Sequence, residues 1–349
     1  MSRDCANAIM RTPRTGCFSR AGGNMRRREF VGLIGGAAAW WPLAAKAQPK
    51  LPIIGVLGLG PLPYFGELRD GLAEAGFVEG RDYTFEYRSA QSAQYQQDQI
   101  AVQVADLLQR GVALITTSSL PQALAAKAST NTVPIVFSTG ADPVAAGLVA
   151  TFHRPGGNLT GVASLNTAVI GKRLEVLHQL ASTASSFAHF VNPANKAYAE
   201  AETRELQVAA RALGVRLSVL NIARTSEIED AFSALVRDRV DGLIVGADAV
   251  FVDSRSELVS LAADHKMPSI YQSRDFVAIG GLASYGTRYG DGSRIMGLYA
   301  ARILKGEKPA DLPVQQITKT ELAINLKTAR TLGVAVPATL LATADEVIE

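Results

Sequence analysis

The chain has 349 residues, with 48% hydrophobic and 19% charged side chains and a formal net charge of +3. That balance belongs to a well-cored globular protein of roughly two domains, not to a disordered one. Residues 1–47 hold eight of the 35 basic and two of the 32 acidic side chains, so the remainder carries −3 and has no basic surplus for nucleic acid or an anionic membrane.

The first segment reads as an address. Arg26-Arg27-Arg28-Glu29-Phe30 precedes an apolar run from Val31 to Ala45, and Ala45-Lys46-Ala47 precedes Gln48. A charged start, an apolar stretch too short to span a bilayer and an A-x-A site make an export signal of the twin-arginine type, cleaved near Ala47. Met25 offers an alternative start to Met1. Both cysteines, Cys5 and Cys17, precede the cleavage site. The mature chain would then have no disulfide, thiol nucleophile or thiolate metal site. It would also have no lipid-anchoring cysteine and no stable membrane insertion.

Beyond Gln48, short apolar runs alternate with helical patterns. The runs are 53–58, 83–87, 112–116, 134–138, 187–191, 215–220, 241–246 and 268–272. Each is 5–6 residues long and mostly hydrophobic, as parallel strands covered on both faces require. Helix-length segments such as 64–76 and 200–214 lie between them, and Asp142-Pro143 reads as the start of another helix. The alternation predicts a doubly wound α/β architecture. The two halves also echo each other, each giving helix, glycine (Gly76, Gly214) and second strand. Two similar lobes with a ligand between them would produce this echo, and so would the general likeness of βαβ units. Chain crossings between lobes fit near Gly161–Leu165, after the helix-breaking HRPGGN (153–158), and near Gly280-Gly281.

Motifs for chemistry fail one by one. Gly58-Leu59-Gly60 ends a strand like a dinucleotide fingerprint, but the third glycine position is Pro63 and Pro61 sits in the turn. The P-loop pattern is broken, since Arg173 follows Gly171-Lys172. Ala283-Ser284-Tyr285-Gly286 has Leu282 where a nucleophile elbow needs glycine. His153, His178, His189 and His265 are scattered, and His189 reads as a core histidine inside a strand. Glu67 and Asp70 form a solvated helix face. No cofactor is called for.

What recurs instead is polar side chains at strand C-termini: Thr116–Ser119, Ser138, Thr139 and Asp142, Asn192 and Asn195, Asp248, and Gln272–Asp275. In an open α/β sheet the ligand crevice lies outside these ends. Hydroxyls at helix N-termini suit a carboxylate, and acids such as Asp248 suit an ammonium group. Each of Ser118, Asp142 and Asn192 could equally be a helix cap. Together they describe a cradle for a zwitterion.

A set of segments then resembles one family. They are the RRREF start, GLAEAGFVEG (71–80), DPVAAGLV (142–149), RPGGNLTG (154–161), GKRLEVL (171–177) and VGAD (245–248). RDFVAIGGLASYG (274–286), ARILKGEKP (301–309) and NLKTA (325–329) complete it. The chain resembles bacterial ABC-transporter substrate-binding proteins of the tryptophan/tyrosine-binding type over nearly its whole mature length. The resemblance implies a type I periplasmic binding protein fold: α/β, with two Rossmann-like lobes bearing parallel sheets, joined by a three-segment hinge. It implies lobe one from 48–161 plus about 286–325, and lobe two from 162–285 plus about 326–349. Carried over by position, the ligand-binding residues are Tyr64, Ser118, Ser119, Thr139, Asp142, Asn192, Asp248 and Asp275. The implied function is non-enzymatic: capture in the periplasm of an amino acid or similar small carboxylate-bearing solute, and its delivery to an inner-membrane ABC permease with its ATPase. Two other readings stand beside it: an exported cofactor-dependent oxidoreductase, and a periplasmic ligand-sensing subunit of a receptor.

Overall fold

The computed structural model describes residues 50–59, 65–90, 97–164 and 166–349. The export signal and Tyr64 lie outside the described residues.

The first half of the chain forms β1 (Ile53–Leu59), α1 (Phe65–Glu74), β2 (Thr84–Ala90), α2 (Gln97–Gln109), β3 (Leu114–Thr117), α3 (Leu120–Ser129), β4 (Ile135–Thr139) and β5 (Leu159–Ala163). The second forms α4 (Ile170–Leu180), β6 (Ser186–Val191), α5 (Lys196–Leu213), β7 (Arg216–Asn221), α6 (Ile228–Arg237), β8 (Gly242–Val245), α7 (Ala249–Asp253), α8 (Arg255–Asp264), β9 (Ser269–Tyr271), α9 (Arg274–Ala278) and β10 (Ala283–Thr287). Then come α10 (Tyr289–Leu304), β11 (Gln315–Gln316), β12 (Thr320–Asn325), α11 (Leu326–Leu332), α12 (Ala338–Thr343) and β13 (Glu346–Ile348).

The strands make two sheets, ordered β11-β5-β4-β3-β1-β2 and β13-β12-β10-β9-β8-β6-β7. Read from the second strand of each half, both run 2-1-3-4-5, so the echo in the sequence is a shared strand order. Every pairing is parallel except β10 with β12. Successive residues of buried parallel strands face opposite helix layers. Val56 packs with Leu68, Leu72 and Met296 of α1 and α10, while Leu57 packs with Ile100, Val104 and Ala123 of α2 and α3. In the second sheet Ile244 faces Leu174 and Leu177 of α4, and Val245 faces Phe232 and Leu258 of α6 and α8.

All eight apolar runs are strands, with ends within three residues of those expected. Five further strands, β5 and β10–β13, occupy stretches left unassigned. β5 fills the place of the first expected crossing, so the chain leaves the first sheet only after Ser164. β10 follows Gly280-Gly281, so the next crossing comes after Thr287. The chain re-enters the first sheet through α10 and β11 and crosses back between Gln316 and Thr320, which places β12 in the second sheet. The helix expected at Asp142-Pro143 is a single turn. Ala146 N–H donates to the Asp142 carbonyl at 2.9 Å and Leu148 N–H to the Pro143 carbonyl at 2.8 Å. Gly147, at φ +70°, then turns the chain out of helical geometry.

Candidate ligand-binding site

The C-terminal ends of both sheets open on one cavity of about 450 Å³, within the usual range for small-molecule sites. From the first sheet come Thr116 and Thr117 at the end of β3, Ser118 and Ser119 before α3, and Ser138 to Gly140 after β4. From the second come Asn192 after β6, Asn195 and Tyr198 at the start of α5, and Asp248 at the start of α7. Leu57, Phe65, Ile100, Leu120 and Met296 supply an apolar wall on the first-sheet side.

On the first-sheet side, Ser119 is the N-cap of α3, in extended conformation with Pro121 in the first turn. That proline is favourable because a first-turn N–H has no helical partner. The Ser118 backbone N–H donates to Gln122 Oε1 at 3.0 Å and its hydroxyl lies 3.3 Å from the same atom. Thr139 is buried, and its Oγ1 accepts from Ala141 N–H at 3.1 Å.

On the other side, Asp248 is fixed by three donors. Its Oδ1 accepts from Asn192 Nδ2 at 2.8 Å and from Val250 N–H at 3.1 Å, and its Oδ2 accepts from Asn195 Nδ2 at 3.3 Å. Asn192 is held in turn, its Oδ1 accepting from Ala194 N–H at 3.0 Å. Asp248 therefore caps α7 and still presents a carboxylate at the cavity wall. A positive ligand group there would meet a preorganised partner.

Five of the expected residues, Ser118, Ser119, Thr139, Asn192 and Asp248, come together at the cavity. Asp142 does not line it. Its side chain is exposed and spent on the turn, Oδ1 accepting from Val144 N–H at 2.8 Å and Ala145 N–H at 3.2 Å. Asp275 lies at a separate polar recess of about 140 Å³, together with Arg274, Thr287 and Glu321.

Sequence reasoning passed over a buried layer in the second-sheet half. Arg173, His189 and Glu202 are each at most 1% exposed. Arg173 Nη1 lies 3.8 Å from Glu202 Oε1, His189 Nε2 lies 3.5 Å from Glu202 Oε2, and Arg173 Nε donates to the Tyr285 carbonyl at 2.7 Å. Glu202 Oε1 also accepts from Ala247 N–H at 3.3 Å. Burial pushes Glu202 up to about 7 against the pull of Arg173, and burial, aided by Arg173, takes His189 down to about 3. At neutral pH His189 is therefore an uncharged core residue, as its place within a strand suggested. Tyr198, one helical turn before Glu202, reaches the cavity. A signal for this layer exists: Tyr198, Glu202, Leu206 and Ala210 form the buried stripe of α5, and Arg173 lies on the stripe of Ile170, Leu174 and Leu177. A charge inside an apolar stripe needs a buried partner.

Among the described residues no group of His, Cys, Asp and Glu is arranged to hold a metal ion. No helix among them is long and apolar enough to cross a membrane.

Two α/β halves of like strand order, with a ligand-sized cleft where their strand ends meet, define a two-lobed solute-receptor fold. The family model described as ABC transporter substrate binding protein matches residues 63–348, and the chain belongs to that family. The chain is 28% identical over 284 residues to a "Tyrosine-binding protein" of Clostridioides difficile, covering 80% of each chain. Among solved structures, it superposes with TM-score 0.77 and 25% identity on an ABC domain in complex with L-Trp from Streptococcus pneumonia, covering 86% of this chain and all of that one. It superposes with TM-score 0.59 and 26% identity on the ligand-free, open form of a Clostridium difficile substrate-binding protein with adhesive properties, covering 85% and 99%. A sugar-bound periplasmic binding protein/LacI-type protein of Alkaliphilus metalliredigens, at 14% identity and TM-score 0.52, shares the fold. The family is one of solute-binding proteins and not of enzymes, which sets aside the oxidoreductase reading.

Proposed function

We propose that this chain is an exported, periplasmic receptor that takes up one amino acid in the cleft between its two halves and hands it to an inner-membrane ABC permease and its ATPase. The observation that carries the reading is the polarity across the cavity. One wall offers the N-terminal end of α3 with the Ser118 and Ser119 hydroxyls, a setting that favours a carboxylate. The other offers the Asp248 carboxylate held by Asn192 and Asn195, a setting that favours an ammonium. The apolar wall of Leu57, Phe65, Ile100 and Met296 suits an aromatic or large aliphatic side chain. Two relatives, a tyrosine-binding protein and an ABC domain in complex with L-Trp, agree with that chemistry.

Export is supported by the Arg27-Arg28 start and the A-K-A at 45–47. The division into lobe one and lobe two joined by a hinge remains part of the proposal, and closure about that hinge would enclose the solute. At near-equal identity the chain superposes better on the L-Trp complex than on the open, ligand-free relative, which supports a closed arrangement here.

A thermal-shift screen of L-amino acids, small carboxylates and purines tests the reading. A ligand at 100 times its Kd adds about 2.7 kcal/mol to folded-state stability, so one amino acid in the panel should raise Tm by several degrees. A flat response across the amino acids removes the reading, and a response confined to purines or to acids without an amine replaces it.

A further inference from the structure

Several buried side chains among the described residues have polar atoms without a hydrogen-bond partner on the protein: Thr117, Arg173, His189, Tyr198, Tyr271 and Gln272. Only two of these six, Thr117 and Tyr198, line the cavity. Thr117 is 1% exposed at the end of β3 in the first sheet, and Tyr198 is 5% exposed in the first turn of α5 in the second-sheet half. Native proteins rarely leave buried hydroxyls unpaired, so two in one ligand-sized cavity call for an explanation.

Tyr198 also crosses the cleft. Its ring packs in the same cluster as Phe137, Ala141 and Leu148 of the first-sheet half, although its helix belongs to the second. The path depends on Gly140. A Cβ at that position would stand 2.7 Å from the Tyr198 hydroxyl, closer than real side chains come, and a tight 3.1 Å from its ring.

We propose that Thr117 and Tyr198 are ligand contacts, one from each side of the cleft, whose hydroxyls take their hydrogen bonds from the bound amino acid, and that Gly140 is the gap that admits the tyrosine. This rests on the amino-acid reading above and deepens it. A ligand that satisfies both hydroxyls joins the two halves through itself, so recognition and closure are the same event.

A ligand contact and a packing residue differ in what their removal costs. Removing a hydroxyl that has no partner on the protein leaves the ligand-free fold as stable as before or more so, while removing one that bonds the ligand weakens binding. Tyr198→Phe and Thr117→Val, each nearly isosteric, should keep the ligand-free Tm at or above that of the wild type. Each should weaken binding of L-tyrosine or L-tryptophan, whichever the wild type binds more tightly by calorimetry, by about three- to tenfold. Gly140→Ala should weaken binding further, and adding Tyr198→Phe to it should cost less than Tyr198→Phe alone, because the two positions share one contact. Wild-type affinity in either hydroxyl variant overturns the assignment of that residue. Absence of binding of both amino acids by the wild type overturns the aromatic form of the amino-acid reading on which this inference rests, and this inference with it.

Discussion

Replacing Arg173 by methionine should destabilise the protein more above pH 7 than at pH 5. Arg173 is fully buried, stands 3.8 Å from Glu202 Oε1, and donates from Nε to the Tyr285 carbonyl at 2.7 Å. Glu202 is as deeply buried, so when ionised it depends on that guanidinium. Removing one partner of a buried ion pair is costly when the remaining charge cannot neutralise, but Glu202, at about 7, can take up a proton, which limits the ion-pair share of the loss at pH 8 to about 1.4 kcal/mol. Together with about 1–2 kcal/mol for the Tyr285 hydrogen bond and packing, and at about 2 °C per kcal/mol for a chain of this size, Tm should fall by about 5–7 °C at pH 8.

The pH dependence follows from Glu202, whose folded value near 7 lies above its ordinary 4.5. Ionising it favours unfolding, so its contribution to stability is full below about 4.5 and is lost as pH rises towards 7. At pH 5 the carboxyl is neutral in the folded protein, and the arginine then has no ionised partner in this layer to lose. There the substitution should cost only the Tyr285 hydrogen bond and some packing, about 1–2 kcal/mol. Calorimetric melts of both proteins at pH 5 and pH 8 measure the difference. Equal losses at the two pH values, or no loss at pH 8, would refute the reasoning.

Three more outcomes can be checked with the same preparations. His189→Gln should leave stability falling steadily between pH 4.5 and 7, by up to about 1.4 kcal/mol per pH unit. In the wild type the depressed His189, whose contribution is present above about 6.5 and lost towards 3, opposes Glu202 over pH 4.5–6.5 and flattens the profile. Asp248→Ala should weaken amino-acid binding at least tenfold by calorimetry, since it removes the carboxylate and frees Asn192 and Asn195. Asp142→Ala should lower Tm by the equivalent of about 0.5–2 kcal/mol through loss of its turn cap while leaving ligand affinity unchanged.

Strand periodicity made much of this architecture legible. Buried parallel strands such as Ile53–Leu59 and Ser186–Val191 are short, mostly apolar runs, and their length of 6–7 residues between helical patterns separates them from buried helix segments. The strands that went unread lack the signal. Leu159–Ala163 carries Thr160 and Gly161, Ala283–Thr287 is ASYGT, and Thr320–Asn325 starts with a threonine and a glutamate. They are strands because their neighbours in the sheet hold them, a tertiary effect invisible to local pattern. Asp142-Pro143 misled for the converse reason, since its capping chemistry is real but serves a single turn closed by Gly147.

At the cleft, the rule that ligands lie beyond strand C-termini brought Ser118, Ser119, Thr139, Asn192 and Asp248 to one place. It could not find Tyr198, which reaches the cavity from a helix and across a gap left by Gly140. Nor could it separate Asp142 and Asp275, which sit at strand ends with their side chains directed elsewhere.

The central claim is that the cleft holds both charged ends of an amino acid, the carboxylate at the start of α3 and the ammonium at Asp248. Titration calorimetry tests it most directly, using the best-bound aromatic amino acid beside its amine without the carboxylate and its acid without the ammonium. The account predicts saturable one-to-one binding of the amino acid and a loss of at least a hundredfold for each analogue. Binding of either analogue as tightly as the amino acid would contradict it.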